Sequence, residues 1–120
     1  MLFRPPYGAH NERIDAMMAK QNLAMINWAA DSNDWQNRDA GKITKAVTQY
    51  AATYTQPIIV LHDTYQATAD ATSGLIEALR HKGMTLVTVS ELTVNTGGLE
   101  AGKVYCRGTA VNQSGFGCHN

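Results

Sequence analysis

Three short stretches of this chain carry residues able to do chemistry: Arg4 with Pro5-Pro6-Tyr7-Gly8, Asp31 to Trp35, and His62-Asp63. A histidine beside a carboxylate can act as general acid or base, because the carboxylate orients the ring and stabilises its charged form. An arginine can orient a carboxylate through a bidentate contact. An indole can wall an apolar pocket or lie against a sugar face. Each item alone is weak, since a histidine where a strand meets a loop can simply be satisfying hydrogen bonds. Their shared position, each just after an apolar run, is more than a solvated surface needs.

Those runs are the elements that must position them. Ile58 to Leu61 is continuously apolar and β-branched at three of four positions, the pattern of a strand buried on both faces. Leu23–Ala29 is a second strand candidate, and Met1–Phe3 reads as the end of another. Between them, Asn11 can cap a helix whose buried face is Ile14, Met17 and Met18, with the methionines as core filler. Asp39 can start a second helix with a stripe of Ile43, Ala46, Val47, Tyr50, Ala51 and Tyr54. A third is expected over Ala69–Lys82, burying Thr72, Leu75, Ile76 and Leu79. Arg80 to Lys82 suit its C-terminal dipole, and Gly83 its end. That gives His81 a structural reason. Met84–Val89 reads as a further strand, Ser90-Glu91-Leu92 as a short helical turn, and Lys103–Cys106 as a terminal strand or hairpin arm. Strands alternating with helices predict βαβ units and a parallel sheet. In such a sheet the three loops emerge on one edge, where α/β folds build their sites.

Composition sets the bounds. The 120 residues are 44% hydrophobic and 17% charged, enough for one small domain with a core. Ten basic residues balance ten acidic ones, with no basic patch to argue for nucleic acid or an anionic membrane. No apolar run approaches the roughly 20 residues of a membrane span, and no signal-peptide pattern follows Met1. Cys106 and Cys118, the two cysteines, can form a disulfide, which would imply an oxidising compartment, or remain free thiols. No second pair of cysteines supports a zinc site, and His119 does not supply one. Asn112-Gln113-Ser114 fits a glycosylation sequon, a triplet that also arises by chance.

In order and spelling, RPPYG at Arg4–Gly8, DSNDW at Asp31–Trp35 and IIVLHD at Ile58–Asp63 resemble the third, fourth and fifth motifs of the polysaccharide deacetylases, carbohydrate esterase family 4 with the NodB homology domain. The resemblance covers about Phe3 to Leu92. It implies an α/β fold of alternating β-α units, the C-terminal part of a distorted (β/α) barrel, over residues 1–94, followed by a Gly-rich tail over 95–120. It also implies hydrolysis of N-acetyl or O-acetyl groups on glycans such as chitin, peptidoglycan or acetylxylan. A divalent metal, commonly zinc, polarises the acetyl carbonyl and activates water in such enzymes. Residue by residue, Arg4 matches the arginine that orients the base aspartate. Tyr7 matches the residue whose backbone N–H faces the oxyanion. Asp34 matches the partner of the catalytic histidine, Trp35 a wall of the acetyl pocket, and His62 the general acid. Val60 stands where a pocket leucine is usual, and Asp63 is read as structural.

Two parts of the family pattern are missing. The Asp-Asp pair that supplies the base and one metal ligand does not occur, nor does the His-x-x-x-His that supplies the other two. The chain is therefore expected to hold the general acid and pocket without the metal and base, to be inactive and poorly stable alone, and to need an N-terminal half. A secreted or envelope location of bacterial type follows from the resemblance. The alternative class is a non-catalytic glycan-binding or interaction fragment, and the remaining reading is an unrelated small α/β domain.

Overall fold

The computed structural model describes residues 1–111 and Cys118. Strand β1 (Leu2–Phe3) pairs in parallel with β2 (Ala24–Ile26), Leu2 opposite Ala24 and Phe3 opposite Met25. Parallel strands need a crossover, here helix α1 (Glu12–Lys20). The Asn11 side chain caps it, accepting the Ile14 N–H at 3.0 Å. The expected α1 face is only half-buried: Ile14 and Met18 are partly covered, and Met17 is exposed. Among the elements, α1 packs on β2, a three-residue strand too narrow to cover a helical face.

The apolar run Leu23–Ala29 does not form one strand. β2 stops at Ile26 and a separate β3 (Ala30–Asp31) follows. The reason lies in the far end of the chain. Strand β5 (Val104–Tyr105) occupies the free edge of β2, Met25 opposite Val104 and Ile26 opposite Tyr105. The chain then bends away, and the N–H groups of Ala29 and Ala30 both donate to the Ile58 carbonyl. This delivers β3 to β4 (Ile59–Val60), in parallel, with Asp31 opposite Val60. β5 continues into an antiparallel β6 (Ala110–Val111), which matches the hairpin arm read at Lys103–Cys106. The result is a four-stranded sheet ordered β1-β2-β5-β6 and a two-stranded β3-β4 pair.

Tyr105 anchors the returning segment. Its ring packs with Ala24 and Ile26, and its hydroxyl accepts the Glu100 N–H at 2.9 Å. Gly102 has φ +79, and a Cβ there would lie 2.7 Å from that of Ala19, so the return needs glycine. Cys106 is buried and joined to Cys118 by a disulfide, with Cα atoms 5.8 Å apart. The sequon at Asn112 to Ser114 and His119 lie outside the described residues.

Helices α3 (Ala40–Thr53) and α4 (Gln66–His81) pack together and on the β3-β4 pair. Val47, Ala51, Leu75 and Leu79 form their shared core, covered by Ile59, Leu61 and Met84. Asp39 caps α3 by accepting the Lys42 N–H at 2.9 Å. Helix α4 starts earlier than the expected Ala69, and its buried stripe is Thr68, Ala71, Leu75 and Leu79. Thr72 is exposed. Among the described residues, no helix is long and apolar enough to cross a membrane.

Met84–Thr88 corrects the strand expected there: the segment pairs with no strand among the described residues. A helix does follow, α5 (Val89–Thr93), closed by a reciprocal cap between Thr88 and Glu91. A groove of about 560 Å³ runs beside the unpaired segment, lined by Tyr54, Pro57, Ile58, Leu86, Val87 and Leu92 among others. Leu86 and Val87 are exposed. The segment therefore lines this groove in place of a paired sheet edge among the described residues. Hydrogen exchange checks this: the amides of Thr85, Leu86 and Val87 should exchange fast, while the core amides of α3 and α4 are protected. Slow exchange at Thr85–Val87 in the monomer would show that the segment is paired.

Candidate active site

Because β3 and β4 are parallel, the loops that follow them leave on the same side. The first carries Ser32 to Trp35 and the second His62-Asp63. Asn33 takes a left-handed φ of 53°, a conformation asparagine tolerates, and its N–H is accepted by Asp31 Oδ1 at 2.8 Å. The other oxygen of Asp31 accepts the Trp28 indole N–H at 3.2 Å. Asp31 therefore shapes the loop. The turn throws Asp34 inward at the start of α2 (Asp34–Asn37), where its side chain is wholly buried.

Three donors meet the Asp34 carboxylate. Oδ1 faces the His62 ring nitrogen Nδ1 at 2.7 Å. Oδ2 accepts the His62 backbone N–H at 2.6 Å and the Thr68 hydroxyl at 2.8 Å. Burial pushes this carboxyl up, but the His62 backbone and ring and the Thr68 hydroxyl together hold it below its ordinary 3.8. An ionised Asp34 only accepts, so Nδ1 carries a proton toward it. The far nitrogen, Nε2, is left for chemistry. The His62 side chain is 37% exposed, enough to meet a ligand.

The structure thus brings His62, Asp34 and Thr68 together. Thr68 was not singled out from sequence, although it is a polar residue opening an otherwise apolar helical stripe. Trp35 stands one residue from Asp34 and is 52% exposed. Val60 is buried in β4, opposite Asp31. Asp63 is exposed, and its carboxylate has no hydrogen bond among the described residues. Arg4 is exposed and likewise makes no ion pair among them. Tyr7 sits at φ 58°, ψ 14° in a tight 3₁₀ turn over Pro6–Gly8, and the residue is 92% exposed. A bulky residue at positive φ is a strained one. Gly8 follows at φ +68, and a Cβ there would come 3.3 Å from the Trp28 ring. Asn27 locks this turn by donating to the Gly8 carbonyl at 3.0 Å. No hydrogen bond among the described residues links Arg4 or Tyr7 to His62.

No protein-family model matches the chain. The peptidoglycan-N-acetylglucosamine deacetylase PgdA of Listeria monocytogenes is 34% identical over 102 residues, 85% of this chain and 20% of the relative. The solved structure of a T48 deacetylase with substrate superposes with a TM-score of 0.76 at 29% identity, covering 87% of this chain and 49% of the other. That of a family 4 carbohydrate esterase from Streptomyces lividans in complex with acetate gives 0.66 at 30% identity, covering 83% and 48%. The chain is a relative of the family 4 carbohydrate esterases. It spans about half the length of these solved esterases and about a fifth of the curated PgdA. Family 4 carbohydrate esterases are generally metal-dependent. Among the described residues of this relative, no group of three or more His, Cys, Asp and Glu is placed to hold a metal ion. His10 is spent on Asp15 at 2.9 Å and His62 on Asp34. The residues described here do not fit the metal.

The lowered Asp34 carboxyl has a definite consequence for stability. Its contribution is complete above the ordinary value of 3.8 and is lost as pH falls through the lower folded-state value. Urea unfolding should therefore show stability dropping as pH falls below about 4, with a shallower fall in Asp34→Asn. Thr68→Val should cost about 1.5–3 kcal/mol near neutral pH by removing one charge-assisted donor. An unchanged midpoint in Thr68→Val would mean that the hydroxyl does not hold the carboxylate.

Proposed function

We propose that this chain is the C-terminal part of a (β/α) NodB-type deacetylase domain and supplies the proton-donating and pocket side of a glycan deacetylation site. The observation that carries this reading is the buried Asp34 gripping His62 by both ring and backbone. Held so, the protonated ring presents its Nε2 proton outward. In hydrolysis of an acetamide, water adds to the carbonyl carbon, the C–N bond breaks, and acetate and an amine leave. His62 would give its Nε2 proton to the departing amine nitrogen, or to the hydroxyl oxygen of an acetyl ester. Trp35 would wall the acetyl pocket, and Val60, buried in β4, would stand in the pocket position. The Tyr7 backbone N–H, in its strained turn, would serve as the oxyanion donor. Arg4, free of partners among the described residues, would orient a base carboxylate.

That carboxylate and the ligands of a divalent metal, zinc being the family's common choice, are assigned to an N-terminal half outside these residues, carrying Asp-Asp and His-x-x-x-His. The groove beside Met84–Thr88, a segment that pairs with no strand among the described residues, would offer that half a place to join. Residues 1–94 then belong to the deacetylase domain and 95–120 to its Gly-rich C-terminal tail, of which Val104–Tyr105 pairs back onto Met25–Ile26. The substrate class is an acetylated glycan of the wall or of a plant polymer, reached in the envelope or outside the cell. A second reading, glycan binding without catalysis, is favoured by the exposed Trp35 and Tyr7 beside an incomplete ligand set.

Joining the chain to an upstream region that bears both missing motifs tests the proposal. The joined protein should release acetate from N-acetylglucosamine oligomers, and the 120-residue chain alone should not. His62→Ala should lower kcat by about 10²–10⁴ in the joined protein. Undiminished turnover in His62→Ala would remove the histidine from the chemistry. Oligomer binding without acetate release would favour the non-catalytic reading.

A further inference from the structure

We infer that Arg38, stacked on Tyr65 at the rim of the His62 site, is a specificity-determining residue that selects glycans carrying a carboxylate on a sugar ring. The inference rests on the deacetylase reading and deepens it by naming a substrate class. Four observations support it. The Arg38 guanidinium lies over the Tyr65 ring, 4.9 Å from its centroid. The Tyr65 ring is itself 5.8 Å from that of His62, centroid to centroid. The backbone ties the same residues together: the Arg38 N–H is accepted by the Asp34 carbonyl at 3.3 Å, and the Tyr65 N–H by that of His62 at 3.5 Å. Arg38 is also held at φ 37°, ψ 39°, a left-handed conformation costly for arginine. Such strain at a site rim is the kind that function maintains.

The charge of Arg38 is unspent. It makes no ion pair and no side-chain hydrogen bond among the described residues, and neighbouring Asp39 is committed to capping α3. Its place at the end of a four-residue helix gives it little dipole to neutralise. A guanidinium with one face on an aromatic ring keeps its edge donors for a planar anion. Trp35 lies on α2 and Arg38 caps its C-terminal end three residues later, so an aromatic surface and a cation sit on one short element and its cap. Neutral sugars would use the aromatic surface alone, whereas a sugar bearing a carboxylate would use both. Asp63, although beside His62 in sequence, makes no ion pair with Arg38 and leaves that charge open.

Calorimetric titration of the full 120-residue chain with three probes decides the matter. The first is a tetramer of N-acetylglucosamine. The second is a tetramer alternating N-acetylglucosamine with N-acetylmuramic acid, its lactyl carboxylates free and without peptide. The third is the second with those carboxylates converted to methylamides. The acidic probe should bind on the order of tenfold more tightly than either neutral one, and the preference should shrink with added salt. Arg38→Gln should bring the three affinities together without weakening the neutral tetramer. Tyr65→Phe should keep the preference, because the ring is retained, and Tyr65→Leu should lose it. Equal affinities in the unaltered chain, or a preference that survives Arg38→Gln, would overturn this inference and leave the glycan site standing. Failure of every probe to bind would overturn the glycan site as well.

Discussion

Asp34 is a carboxylate removed from water, and it can stay there only while the Thr68 hydroxyl, the His62 backbone N–H and the His62 ring all reach it. Leaving such a charge unpaired would cost several kcal/mol, about as much as a small domain has to lose. The condition therefore propagates outward. The loop after β3 must turn inward at Asn33, β4 must end in register with β3, and α4 must begin early enough to place Thr68 under the carboxylate. Two of the contacts that make the burial tolerable also hold His62, leaving its outer ring nitrogen without a hydrogen bond among the described residues. Structural need and chemical use are met here by one set of hydrogen bonds.

The two sheets answer a different demand. β5 returns from the far end of the chain to pair with β2, and this is what breaks the apolar run Leu23–Ala29 into two strands. The bend at Asn27–Ala29 then sends Ala29 and Ala30 to the Ile58 carbonyl. Trp28, at the bend, touches both neighbouring loops: its ring lies against Gly8, and its indole N–H is held by Asp31. The loop bearing Tyr7 and the loop bearing Asp34 are thereby braced against one short segment. Among the described residues β4 has no neighbour besides β3, and Leu86 and Val87 stand exposed. A packed helical pair on one side and an open edge on the other are consistent with a chain that matches only about half of the solved esterases it resembles.

Sequence alone determined the kinds and order of the local elements wherever one strong physical signal was present. Asn11 and Asp39 were legible as caps because a side-chain oxygen three residues before a free N–H is a local matter. The stripe of Ile43, Val47 and Ala51 was legible because helical period and burial coincide there. The apolar run ending in His62-Asp63, and its likeness to a deacetylase motif, marked the site. Tertiary structure alone decided what required knowing a distant partner. It chose β5 as the neighbour of β2, and so split a run that local propensity reads as continuous. It left Met84–Thr88 unpaired among the described residues, because a strand needs an edge to pair with and sequence pattern cannot supply one. It put Thr68 beneath Asp34 and Arg38 over Tyr65, contacts spanning 34 and 27 positions that no local periodicity encodes.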